Sequence, residues 1–160
     1  MESLSVMLAD ATATEALGRE LAARWLQHRA EVGGGAPPIL LLRGTLGAGK
    51  TCLVQGLAAG LGIDEPITSP TFALAQHYTG QATGSSTALV HLDLYRLEQP
   101  NAADELFAQE EEEAQALGAL MAVEWSERLS NEPADAWCVS LELIDANQPE
   151  SGRRAALRCT

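Results

Sequence analysis

Ile39-Leu40-Leu41-Leu42-Arg43-Gly44-Thr45-Leu46-Gly47-Ala48-Gly49-Lys50-Thr51 decides the fold. Four consecutive apolar residues follow the breaker Gly33–Pro38 and read as a strand buried on both faces. Such strands belong to parallel or mixed sheets covered by helices. The stretch Gly44–Thr51 then fits G-x-x-x-x-G-K-[ST], directly after the strand and at the start of a helix. Phosphate chemistry requires that arrangement. Glycines let backbone N–H groups turn inward around phosphate oxygens, and the helix N-terminus adds its positive dipole end. In this reading Lys50 reaches the β- and γ-phosphates and the Thr51 hydroxyl binds Mg²⁺. Gly44, Thr45, Leu46, Gly47, Ala48, Gly49, Lys50, Thr51 and Cys52 are the expected nucleotide-binding residues.

Outward from the loop, the elements alternate in the manner of an α/β protein. Residues 3–8 read as a first strand. Asp10 and Thr12 offer N-caps for a helix over about 12–29, with Leu17, Leu21 and Trp25 on its apolar stripe. A second helix covers 50–61, with Leu53, Leu57 and Leu61 on one face. Strands are expected at Phe72–Tyr78 and Ala88–Leu94, joined by the polar stretch Gly80–Thr87. One or two helices cover Asn101–Gln115, and Leu120–Glu124 is another strand. Cys138–Leu143 alternates with a period of two and pairs across the turn Asp145–Gly152 with Ala155–Cys159, a C-terminal antiparallel hairpin. Glu110 to Glu113 read as a solvated helix face. No repeat or long linker divides the chain, so residues 1–160 are expected to form a single domain.

Composition narrows the function. The chain has 160 residues, 22 acidic and 10 basic, for a net charge of −12. A chain this acidic is a poor candidate for direct binding to nucleic acid or an anionic membrane. Its three cysteines, Cys52, Cys138 and Cys159, form no C-x-x-C pair and read as reduced thiols, with Cys52 a small buried residue. No signal peptide and no apolar run near 18 residues is visible, so a cytoplasmic protein is expected. The basic residues are nine arginines and one lysine, Lys50. With that lysine in the loop, the Asn-Lys-x-Asp box of GTPases cannot exist.

Three more clusters carry chemistry. Ser69-Pro70-Thr71-Phe72 lies where a switch loop would, and the Thr71 hydroxyl could sense Mg²⁺ or γ-phosphate. His91-Leu92-Asp93-Leu94-Tyr95-Arg96-Leu97 puts an acid at the end of an apolar strand, where a metal- or water-orienting carboxylate belongs. Glu124-Trp125-Ser126-Glu127-Arg128 does the same after Leu120–Val123, and Trp125 suits core packing. A small-molecule kinase would use Arg96 and Arg128 over the transferred phosphoryl group. A non-catalytic, nucleotide-gated binding module also fits these motifs.

The four motifs G-x-L-G-A-G-K-T, S-P-T-F, H-x-D-L-Y-R-L and E-W-x-E-R, in this order, resemble the TsaE family across nearly the whole chain. These are bacterial P-loop ATPases of tRNA threonylcarbamoyladenosine biosynthesis. The resemblance implies one P-loop NTPase domain with a mixed, mostly parallel sheet flanked by helices. It implies ATP and Mg²⁺ as cofactors, and TsaD and TsaB as partners that carry the tRNA. By the same resemblance Thr51 and Glu124 bind Mg²⁺, Lys50 and the loop hold the phosphates, and Asp93 and Thr71 assist hydrolysis. Thr45 stands where the family usually has an acid, and Cys52 where another hydroxyl residue is common. Adenine contacts are expected near Asp10–Thr12 and Arg153.

Overall fold

The computed structural model describes residues 2–32, 37–45, 47–68 and 75–159. Among them, seven strands form one mixed sheet: β1 (Glu2–Leu8), β2 (Leu40–Gly44), β3 (Ala75–Ala82), β4 (Ser85–Asp93), β5 (Leu120–Glu124), β6 (Trp137–Leu143) and β7 (Arg153–Cys159). The helices are α1 (Ala11–Glu31), α2 (Lys50–Gly60) and α3 (Pro100–Leu117). The strand order is β1-β7-β6-β2-β5-β4-β3. The central strands β6, β2, β5 and β4 run parallel, and antiparallel pairs β6–β7, β7–β1 and β3–β4 complete both sides.

The strand β2 sits at the centre because it has no polar face to offer. Leu40 and Leu42 enter one core cluster with Leu21, Trp25, Leu53, Leu57 and Val139. Leu41 enters the other, with Val90, Leu92, Met121 and Val123. Burial on both faces is thus the outcome of the four-residue apolar run. Asp10 caps α1, its carboxylate accepting the Ala13 N–H at 2.9 Å. At the other end of the chain order, Gly118 closes α3 in the left-handed conformation (φ +62°), which a glycine adopts without Cβ strain.

The helices α1 and α2 cross closely. A Cβ on Gly56 would land on the Glu15 carbonyl oxygen, and one on Gly18 would land on that of Leu53. Bare backbone at both positions lets the pair approach over β2 and seat the loop at the start of α2. Gly56→Val should therefore force the helices apart, lowering stability by about 3 kcal/mol. In a domain of this size that is a melting temperature lower by roughly 10 °C, read by calorimetry.

Three expectations are corrected. The stretch Gly80–Thr87 is mostly strand: β3 and β4 pair from Ala75↔Leu92 to Ala82↔Ser85 around a two-residue turn at Thr83 (φ +53°) and Gly84 (φ +78°). Both turn residues have positive φ, the geometry that matches strand twist. Small polar residues conceal the strand pattern there, while Thr87 is buried and donates to the Leu61 carbonyl at 2.5 Å. Second, Glu110 is not on the solvated face of α3. It is 8% exposed and meets His77 Nε2 at 2.6 Å, whereas Glu112 and Glu113 are exposed. Third, Cys52 is only half-buried, its thiol 3.4 Å from the Ala11 carbonyl, while Cys138 and Cys159 are buried. All three thiols are free. Among the described residues no helix is long and apolar enough to cross a membrane.

Candidate functional site: a phosphate loop flanked by two strand-end carboxylates

Parallel β2, β4 and β5 end on the same edge of the sheet. In register, Leu42 of β2 lies beside Glu124 of β5, and Asp93 of β4 lies on the other side of Glu124. The acids that the sequence places at two strand ends are therefore neighbours, next to the loop that leaves β2. Ligands of open α/β sheets bind at this carboxyl edge.

The loop's glycines are needed where they stand. Gly44 has φ +144°, and a Cβ there would come 2.5 Å from the Leu141 carbonyl oxygen. Gly47 (φ +82°) and Gly49 (φ +104°) also take conformations that side chains rarely adopt. The Ala48 N–H donates to the Thr45 carbonyl (3.2 Å) and the Leu53 N–H to that of Gly49 (2.9 Å), which joins the turn to the first turn of α2. Leu46 and Thr71 lie outside the described residues.

Lys50 is folded inward. Its Nζ donates to the Gly44 carbonyl at 2.5 Å and lies 4.1 Å from the centre of the Trp125 ring. The residue is 6% exposed. Burial pulls the ammonium pKa down, and Glu124, Glu127 and Asp93 act against that pull. Trp125 does more than fill the core. It is half-buried, sits at φ +59°, and also touches Tyr95 (ring centroids 4.8 Å apart) and Arg128. Arg128 itself donates to the Tyr95 carbonyl at 3.1 Å, and Arg96 is exposed.

The two carboxylates differ in environment. Glu124 is 3% exposed, with its Oε2 2.5 Å from His91 Nε2. His91 is fully buried, and among the described residues its Nδ1 has no hydrogen-bond partner. Asp93 is half-buried and accepts the Tyr95 N–H at 3.0 Å. Burial pushes its carboxyl pKa up, the Tyr95 N–H works against this, and Glu124 adds to the rise. His91 is a site residue to which sequence reasoning assigned no role. Its signal was a lone imidazole inside the apolar run Leu89–Leu92, two residues before Asp93, so both lie on one face of β4.

The donor set suits a nucleotide with Mg²⁺. Gly44 and Gly49 leave no room for a side chain. The hard oxygens of Thr51 and Glu124 are of the kind Mg²⁺ takes when phosphates and water complete its shell. On the far flank, Ala11 at the start of α1 meets Cys52, and Arg153 of β7 packs on Gly49. The two segments expected near the base are thus brought together beside the loop.

The model of the family "Threonylcarbamoyl adenosine biosynthesis protein TsaE" matches residues 8–155. A TsaE protein of Nostoc sp. is 46% identical over 99 residues, covering 62% of this chain and 59% of that protein. One from Treponema pallidum is 40% identical over 112 residues (69% and 77%). One from Synechocystis sp. is 40% identical over 136 residues (82% and 76%). The chain thus spans less than two thirds of the Nostoc relative and about three quarters of the other two. Among solved structures, Bacillus subtilis YdiB superposes with a TM-score of 0.64 at 25% identity, covering 98% of this chain and 84% of YdiB.

Proposed function

This chain belongs to the TsaE family, and on that premise we propose that it is an Mg²⁺-dependent ATPase of the cytoplasm. It serves the formation of threonylcarbamoyladenosine in tRNA by acting on a complex of TsaD and TsaB homologues. The observation that carries this reading is the placement of Asp93 and Glu124 on adjacent strand ends beside the phosphate loop that opens α2.

The residues divide the work. The loop from Gly44 to Cys52 presents main-chain N–H groups to the polyphosphate. Lys50 exchanges the Gly44 carbonyl for the β- and γ-phosphate oxygens, a better partner for an ammonium ion. Thr51 and Glu124 hold the metal, with His91 fixing the Glu124 carboxylate from behind. Bound Mg²⁺ supplies positive charge to the phosphate oxygens. Asp93 orients the attacking water and takes its proton; a carboxyl pKa raised by burial makes it a stronger base than an exposed aspartate. Thr71 assists at the γ-phosphate.

The net charge of −12 favours protein partners over tRNA. The tRNA is held by the partners, and this chain acts on them. The test is phosphate release from ATP and Mg²⁺ by the chain alone and with TsaD and TsaB homologues, beside a panel of metabolites as phosphoryl acceptors. Release that rises with the partners supports the reading. Stoichiometric transfer to a metabolite, or tight binding of tRNA by the isolated chain, overturns it.

A further inference from the structure

Arg43 stands one residue before Gly44, and Ser126 one residue after Trp125. The two side chains meet: Arg43 Nε donates to Ser126 Oγ at 3.4 Å. That bond closes a ring of contacts around Lys50. The Gly44 carbonyl accepts from the ammonium group at 2.5 Å, and the ammonium group lies 4.1 Å from the centre of the Trp125 ring. Arg43 then ties the residue after Trp125 to the residue before Gly44. Ser126 is buried, and Trp125 has φ +59° and ψ +43°. A bulky residue keeps that left-handed conformation only where its surroundings impose it.

Arg43 is itself held from its other end. Its Nη2 donates to Glu132 Oε2 at 3.3 Å, and the second oxygen of Glu132 takes the Arg158 guanidinium. Arg43 is on β2 and Arg158 on β7, with β6 between them. Ser140 and Ala156, which lie beside Arg43 in register, are small, and the Glu132 carboxylate joins the two arginines across them. A chain of contacts therefore runs from the last strand through Glu132, Arg43 and Ser126 to the ring that faces Lys50.

We propose that Arg43 is a positioning residue for Lys50: braced by Glu132, it holds Ser126 and so keeps the Trp125 ring over the ammonium group, which fixes where that charge meets a phosphate. This rests on the nucleotide-binding reading above and adds a brace to it. An ammonium group on a flexible stem is a point charge with no direction of its own. A ring face on one side and an oxygen on the other give it one position. When a phosphate oxygen replaces the Gly44 carbonyl, the ring stays.

The test combines isothermal titration with ATP and acrylamide quenching of tryptophan fluorescence. It compares the wild-type chain with Arg43→Ala, Arg43→Lys and Glu132→Gln. Trp25 and Trp137 are fully buried and Trp125 is half-buried, so a gain in quenching reports Trp125. Arg43→Ala should quench more and bind ATP about tenfold more weakly, because apparent affinity falls with the fraction of chains in which Lys50 is in place. Arg43→Lys keeps the charge without the fork and should lie between.

Glu132→Gln separates positioning from simple electrostatics. Removing a negative charge by itself favours an anion. Loosening the brace does the opposite, by about threefold for so exposed a pair, with a melting temperature near that of the wild type. If Arg43→Ala fails to fold, Glu132→Gln and Arg43→Lys carry the comparison. Unchanged or tighter ATP binding in Glu132→Gln overturns the proposal, as does unchanged quenching in the Arg43 variants. Failure of the wild type to bind ATP overturns the nucleotide reading itself and the brace's role with it, so the two failures are distinguishable.

Discussion

Lys50→Ala should lose nucleotide binding and keep its fold. On the proposed pairing of Lys50 with phosphate, truncating this buried cation costs at least about 2 kcal/mol, roughly a thirtyfold loss of affinity. The effect on stability is small because two terms oppose each other. The variant gives up the 2.5 Å bond to the Gly44 carbonyl and the contact with the Trp125 ring. It also removes an ammonium group that burial disfavours, as the downward pull on its pKa records. That lowered pKa has a defined sign. A lysine whose pKa falls on folding lowers stability while charged, and stability recovers as pH rises through the folded value. While the lysine is charged, its removal therefore offsets part of the lost contacts. Isothermal titration with ATP and a thermal melt check the two halves; normal ATP affinity in Lys50→Ala would refute the phosphate-loop assignment.

Glu124→Ala should fail in both stability and turnover. His91 Nε2 is satisfied by Glu124 at 2.5 Å, and its Nδ1 already has no partner among the described residues. Removing the carboxylate leaves a fully buried imidazole with neither nitrogen bonded. An orphaned buried polar group costs about 1–3 kcal/mol, which at this chain length lowers the melting temperature by about 5 °C. On the proposed role of Glu124 in holding Mg²⁺, turnover should fall by at least about a hundredfold. Glu124→Gln separates the two effects. It keeps the shape and one hydrogen bond to His91 but not the charge, so its melt should approach that of the wild type while hydrolysis stays low. Full hydrolysis in Glu124→Gln would remove Glu124 from the metal site.

The local elements were legible because each is written in a short window. The apolar run Ile39–Leu42, the glycine spacing of Gly44–Lys50 and the period-two alternation of Cys138–Leu143 all act over a few residues, and β2, the loop and β6 stand there; of the two caps offered for α1, Asp10 and not Thr12 is the N-cap. The polar hairpin around Thr83 and Gly84 was not legible, because its strand character comes from packing Gly80 and Thr87 on the end of α2. Glu110 likewise belongs to an acidic run in one dimension and to His77 of β3 in three.

By itself the sequence determined a glycine-rich loop of phosphate-loop spacing between a buried strand and a helix, and two acids at strand ends. Backbone conformation and hydrophobic period are local properties, and a local window specifies them. Tertiary structure alone decided that Asp93 and Glu124 are in register, that His91 holds Glu124 and that Lys50 rests on Gly44 and Trp125. It also decided that Arg153, more than 100 residues along the chain, reaches Gly49. Those pairings depend on strand order and register, which arise from burying both faces of β2 at once; no residue in the loop encodes them.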